Sequence, residues 1–213
     1  MDDEQLIRAL VRDHRPVARS ALALRLAACA AVGLAAAIAL VIHFTGLRPD
    51  LGPALGTFPF WMKWVYVGLL GSGALVAIEK VARPDTADLP WLWLLALPVG
   101  GIAALAVWQA LRAPPGAWSM QWMGKSWDSC PTTIALLSVP VFISMIFAFR
   151  RFAPVRLRLA GFLAGLASGG LSAFAYALHC PETSAVFVAI WYSAGIAIPA
   201  AVGALLGPRL LRW

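Results

Sequence analysis

The chain has 213 residues, of which 61% are hydrophobic and 13% are charged, and its formal net charge is +7. A soluble domain is about half apolar and a quarter charged, so this composition argues against a soluble protein and indicates a membrane protein. The basic residues cluster between hydrophobic runs, and no soluble basic face carries exposed aromatic residues, so we expect no direct binding to nucleic acid.

The first twenty residues form a polar segment. Residues 3–14 have the spacing of a short amphipathic helix. Its apolar face comprises Leu6, Ile7, Leu10 and Val11, and its polar face comprises Arg8, Arg12 and Asp13. A helix of this length is marginally stable alone in water, so its apolar face needs a surface. That surface is either a lipid headgroup layer or a partner protein.

Six apolar runs follow, each close to the roughly 20 residues that a helix needs to cross the hydrocarbon core of a bilayer. They lie at residues 23–44, 61–80, 90–111, 131–149, 159–178 and 185–207. The fifth run carries Gly161, Gly165 and Gly169, a spacing that lets helix backbones approach closely, so we expect it inside the bundle. The sequence therefore predicts an all-α polytopic membrane protein, with a tail at residues 1–20 and a six-helix transmembrane domain at residues 21–213.

Lys and Arg are distributed unequally between the two sides of these spans. The side with both termini receives 13 of them and the other side receives 4. The positive-inside rule then predicts that both termini are cytoplasmic. In a bacterial inner membrane, the loops at 45–60, 112–130 and 179–184 would face the oxidising compartment.

The outer ends of the spans carry most of the residues with reactive side chains. They are His43, Asp128, Cys130, His179, Cys180 and Glu182. A disulfide between the two outer cysteines would tie the start of the fourth span to the hairpin between the fifth and sixth. Alternatively, Cys130, Cys180, His179 and His43 could form a soft-metal site, although the close C-x2-C spacing is absent. The third alternative is a pair of unpaired structural cysteines, and His179 and Glu182 would have opposite effects on the reactivity of Cys180.

Motifs for catalysis are absent from the sequence. No nucleotide-binding loop, Ser/His/Asp set or H-E-x-x-H motif occurs, so we expect neither an enzyme nor a cofactor. No charged residue falls near the middle of a span, and ion pathways usually need one. The competing hypotheses are a membrane thiol-redox protein, which usually needs a C-x-x-C pair that is missing here, and a small transporter.

Two cysteine-containing segments resemble a known family. The run Ala177-Leu178-His179-Cys180-Pro181-Glu182, followed by Phe187 and Trp191-Tyr192, resembles the signature of six-span NrsF-type membrane anti-sigma factors. Cys130-Pro131 and the N-terminal residues Leu6, Ile7, Leu10, Asp13 and Pro16-Val17 are similar to the same family, and the resemblance covers essentially the whole chain.

The resemblance implies a bacterial inner-membrane protein that holds an extracytoplasmic-function sigma factor inactive. The tail would bind the sigma factor, with Leu6, Ile7, Leu10 and Val11 as buried anchors and Arg8, Arg12 and Asp13 as a polar rim. Cys130 and Cys180 would sense the signal, with His179, Glu182 and Asp128 nearby. The partners implied are the sigma factor and the lipid bilayer.

Overall fold

The computed structural model describes residues 19–81, 90–114, 116, 118–149, 154 and 156–212, together with Glu4. These residues form helices, turns and loops, with no β-strand among them. In this described part of the chain, six helices are long and apolar enough to cross a membrane. The all-α, six-span fold predicted from the sequence is therefore confirmed. The tail residues predicted to bind a partner, Leu6, Ile7, Arg8, Leu10, Val11, Arg12 and Asp13, lie outside the described residues.

The six long helices are named α1 to α6 in chain order. Their bounds are Arg19–Leu40, Phe58–Val81, Ala96–Leu111, Cys130–Phe149, Leu157–Tyr176 and Ser193–Leu210. Irregular helical turns extend three of the spans. A π-turn at Val41–Thr45 follows α1, a 3₁₀ segment at Pro90–Leu95 precedes α3, and a short helix at Ala185–Phe187 with a π-turn at Val188–Tyr192 precedes α6. The sequence did not predict these turns. Short helices at Leu51–Ala54 and Trp118–Met123 lie in the connections.

Helix α5 is the centre of the bundle. Of its most apolar 18-residue window, 72% is buried, and it packs against α6, α2 and α4. Its glycines lie against the backbone of α6. A Cβ atom on Gly165 would stand 2.6 Å from the carbonyl carbon of Pro199 and 2.7 Å from Cα of Ala200. The expectation that this span lies inside the bundle is confirmed, because only glycine permits such an approach.

Helix α3 lies at the periphery, with 11% of its apolar window buried. Apolar clefts of about 600 Å³ and 620 Å³ flank it, one against α2 and the other towards α5 and α6. A Cβ atom on Gly100 or Gly101 would meet nothing within 4 Å. The half of α3 that holds these glycines is therefore loosely packed against the bundle.

Candidate functional site

The connection between α5 and the sixth span, residues 177–184, is called the Cys180 loop here. After Tyr176 the chain tightens into a turn, in which the amides of His179 and Cys180 both donate to the Tyr176 carbonyl, at 2.9 and 3.1 Å. The next residue, Pro181, cannot extend a helix because it lacks an amide hydrogen. The sixth span then begins at Ser184, whose hydroxyl accepts from the amide of Phe187 at 3.4 Å. The loop is therefore short and bounded by two helix ends.

Cys130 and Cys180 lie in one buried apolar cluster at this end of the bundle. Both are fully buried, and both are free thiols in this structure. Cys130 is the first residue of α4, and its amide donates to the Ser126 carbonyl at 2.9 Å. The cluster includes Tyr176 and Tyr192, whose ring centroids are 5.9 Å apart. The structure brings the two cysteines into the same cluster without a disulfide, and it shields them from solvent.

Two cations hold the backbone of the Cys180 loop. The ammonium of Lys63, in α2, donates to the carbonyls of Cys180 at 2.9 Å and Glu182 at 2.7 Å. Arg48 donates from Nη1 to the same Cys180 carbonyl at 3.4 Å, and its backbone amide donates to the carbonyl of Leu178 at 3.2 Å. Carbonyls beyond a helix C-terminus carry partial negative charge and attract cations. The loop is thus fixed by positive charge from α2 and from the connection between α1 and α2.

Arg48 is itself fixed by Asp50. The guanidinium donates from Nε to Oδ1 and from Nη2 to Oδ2, both at 2.7 Å. This paired geometry is the strongest form of an Arg–carboxylate contact. The hydrogen bond to Asp50 raises the pKa of Arg48, and the hydrogen bond from Arg48 lowers the pKa of Asp50. The charge that Arg48 presents to the loop is therefore permanent over the physiological pH range.

Glu182 binds the segment that precedes α4. Its Oε1 accepts from the backbone amide of Lys125 at 2.6 Å and from the hydroxyl of Ser126 at 3.4 Å. Gly124 has a φ of +57°, and a Cβ atom there would lie 2.6 Å from Oε2 of Glu182. The turn therefore needs glycine both for its backbone conformation and to admit the carboxylate.

Further contacts tie the remaining segments to the Cys180 loop and the start of the sixth span. His179 shares a hydrogen bond of 2.9 Å between its Nδ1 and the carbonyl of Gly46, beyond α1. Gln109, near the end of α3, accepts from the amide of Ala185 through Oε1 at 2.7 Å. Trp191 donates from its indole nitrogen to the carbonyl of Trp122 at 2.6 Å. The connection after α1, the end of α3 and the connection before α4 thus all contact this region.

The other residues predicted for this site lie apart from it or on the surface. His43 is exposed and packs edge-on against Phe44, with centroids 4.8 Å apart, and Asp128 is exposed. Within the described ranges no group of three or more His, Cys, Asp or Glu side chains could hold a metal ion. The metal-ligand set considered from the sequence, Cys130, Cys180, His179 and His43, is therefore not assembled.

The sequence interpretation missed Lys63, Arg48 and Gln109. It used the two cations only in the count of four basic residues on the outer side. One signal was available for Lys63, which lies among apolar and aromatic residues five positions after Phe58, the first residue of α2. At a rise of about 1.5 Å per residue it is about 7.5 Å into the helix, where an ammonium needs a partner.

Comparison with known proteins gave full-length matches. A family described as "negative regulator of sigma F" (NrsF) matches residues 10–213. The chain is 42% identical over 214 residues to a probable anti-sigma-F factor of Azospira oryzae. It is 39% identical over 215 residues to an anti-sigma-F factor of Caulobacter vibrioides. Both alignments cover 100% of each chain. No solved structure matches.

Proposed function

The chain belongs to the NrsF family of negative regulators of sigma F, and from this premise we propose how it captures and releases its sigma factor. It sequesters a sigma factor of the extracytoplasmic-function type through residues 1–20 and releases it in response to a signal at Cys130 and Cys180. The observation that carries the proposal is the similarity over the whole chain to two curated anti-sigma-F factors, one at 42% and one at 39% identity.

The tail is proposed as the sigma-binding element because its sequence has one apolar face that needs a surface to pack against. Leu6, Ile7, Leu10 and Val11 recur at helical spacing. An amphipathic helix of this kind binds by placing its apolar face in a groove of a partner. The excess of basic residues on the side of the termini supports a cytoplasmic tail in a bacterial inner membrane, where a sigma factor is accessible.

The cysteine cluster is proposed as the input site because it is coupled to many segments. Cys180 shares its loop with Glu182, whose carboxylate binds the segment before α4. The backbone carbonyl of Cys180 accepts a hydrogen bond from Lys63 in α2. Cys130 begins α4. A chemical change at either thiol would alter the packing at this end, and that change would shift the equilibrium between bound and released sigma factor. A tenfold change in affinity needs about 1.4 kcal/mol of coupling.

Deletion of residues 1–20 tests the capture step. The sigma factor and the membrane protein are expressed together, and transcription from a sigma-dependent promoter is measured. The full chain is expected to repress the promoter, and the deletion variant is expected to release it while reaching the membrane in equal amount. Undiminished repression by the deletion variant would show that the sigma factor binds elsewhere.

Cysteine substitutions test the input step separately. Cys130→Ala and Cys180→Ala are expected to abolish the change in sigma-dependent transcription when cells are treated with a thiol oxidant. Cys29→Ala is the matched control, because Cys29 is a partly buried free thiol within α1 that packs in a separate apolar cluster. If both outer substitutions respond to the oxidant as the parent does, the input site is not at these thiols.

A further inference from the structure

Lys63 is a lysine without exposed surface at the Cys180 end of α2. Its ammonium donates to two backbone carbonyls, those of Cys180 and Glu182, at 2.9 and 2.7 Å. An ammonium has three N–H donors and a full positive charge. The two neutral carbonyls satisfy two of these donors but do not neutralise the charge, and a buried charge without an opposite one is costly.

No carboxylate forms an ion pair with Lys63 in the part of the chain that the structure describes. The nearby acid, Glu182, turns its carboxylate away onto a backbone amide. Arg48 donates from Nη1 to the same Cys180 carbonyl at 3.4 Å, but its charge is already paired with the carboxylate of Asp50. The other titratable side chains of the surrounding cluster are thiols and phenols, namely Cys130, Cys180, Tyr66, Tyr176 and Tyr192. Among the described residues, Lys63 is therefore a buried positive charge beside two thiols without an ion pair of its own.

We propose that Lys63 is the counter-ion of a Cys180 thiolate and hence a positioning residue of the signal site. Its Nζ lies 2.9 Å from the carbonyl oxygen of Cys180, so covalent geometry places the sulfur of the same residue within about 8 Å. When water reaches the buried thiol, the thiol gives its proton to that water, and the thiolate supplies the negative charge that Lys63 lacks. The thiolate is the reactive form of cysteine. The inference rests on the proposed function only for the statement that Cys180 takes part in sensing.

The size of the effect follows from Coulomb's law. At an effective dielectric constant of about 20, a unit charge about 7 Å away changes the population of a neighbouring anion roughly fiftyfold. A thiolate that is stabilised by a nearby charge is also a weaker nucleophile, and this reduces the logarithm of the rate gain by about half. Loss of the Lys63 charge should therefore slow a thiolate reaction about tenfold near neutral pH.

The test is the rate at which Cys180 reacts with methyl methanethiosulfonate. The thiolate attacks the reagent's sulfenyl sulfur, an S–S bond to Cys180 forms, and methanesulfinate leaves. The full chain is used in lipid nanodiscs with Cys29→Ala and Cys130→Ala, so that Cys180 is its only thiol. Lys63→Met removes the charge, and Lys63→Arg keeps it. Arg112→Met is the matched control, because Arg112 is an exposed cation at the same end of the bundle.

Lys63→Met is expected to lower the rate at pH 7 about tenfold and to move the pH–rate profile to higher pH. Lys63→Arg should stay within about threefold of the parent, and Arg112→Met should leave the rate unchanged. A purely structural role would alter access to the thiol equally at every pH. A Lys63→Met profile with an unmoved midpoint, whatever its absolute rate, would therefore overturn the proposal.

A double-mutant cycle gives a second test that does not depend on thiol chemistry. Cys180→Asp places a carboxylate where the thiolate would form. Cys180→Asp is expected to lower Tm more in the Lys63→Met background than in the parent. Cys180→Asn should lower Tm by the same amount in both backgrounds. Additive losses for Cys180→Asp would contradict the pairing. Both tests are independent of sigma-factor capture, so failure of the proposed function and failure of the pairing give different results.

Discussion

Glu182→Ala should release the segment before α4 from the Cys180 loop. The carboxylate accepts a hydrogen bond from the Lys125 amide at 2.6 Å and a longer one from the Ser126 hydroxyl at 3.4 Å. Hydrogen bonds to charged groups contribute about 1.5–3 kcal/mol. Glu182 is only half-buried, so solvent weakens this interaction, and we expect a loss at the lower end, about 1.5 kcal/mol.

This loss is measured by hydrogen exchange at the Lys125 amide in the full chain. A loss of about 1.5 kcal/mol in local opening free energy corresponds to roughly tenfold faster exchange. Glu182→Gln keeps an acceptor oxygen without the charge, so its exchange should be intermediate. Asp128→Ala is the matched control, because it removes an exposed carboxylate from the same segment. Unchanged exchange in Glu182→Ala would refute the role given to this carboxylate.

Two further predictions concern packing and pH. Gly165→Ala should lower Tm, because its Cβ would stand 2.6 Å from the Pro199 carbonyl carbon and overpacking costs about 1–3 kcal/mol. A Cβ atom on Gly100 would have no neighbour within 4 Å, so Gly100→Ala should instead stabilise α3 by about 0.5–1 kcal/mol. Equal Tm values for the two variants, measured in the same detergent, would contradict both expectations. Since the folded-state pKa of Asp50 is lowered by its hydrogen bond from Arg48, its contribution is present above the unfolded pKa of about 3.9 and is lost as pH falls through the folded pKa. Between pH 7 and pH 2 the parent should therefore lose more Tm than Asp50→Asn, and an equal loss in both would show that this pair does not stabilise the fold.

The overall fold could be predicted because membrane spans are encoded locally. A run of about 20 apolar residues is sufficient to identify a span, and the spacing of Gly161, Gly165 and Gly169 was sufficient to place α5 inside the bundle. The irregular turns at Val41–Thr45 and Val188–Tyr192 were not predictable in this way. They depend on packing between spans, and hydropathy does not report packing.

The candidate site was predictable only in part for the same reason. The sequence singled out Cys130, Cys180 and Glu182 as polar or reactive residues between apolar runs. Their partners come from distant segments, such as Lys63 with the Cys180 carbonyl, 117 residues apart, and Gln109 with the Ala185 amide, 76 residues apart. No local pattern encodes such pairs. A cation near a helix end normally extends its ammonium to the headgroup layer, so the burial of Lys63 depended on a loop that folds over it.

The central claim, that the tail captures the sigma factor, is tested most directly by a binding measurement. The full chain in lipid nanodiscs is titrated with a purified sigma factor of the sigma-F class, and Kd is compared with that of the Leu6→Asp, Leu10→Asp double variant. Each of the two buried anchors is expected to contribute at least about 1 kcal/mol to binding, so the double substitution should raise Kd at least about thirtyfold. Gln5→Asp adds charge at a tail residue that is not on the predicted apolar face, and it should leave Kd nearly unchanged. Equal affinity of the double variant and the parent would contradict the account.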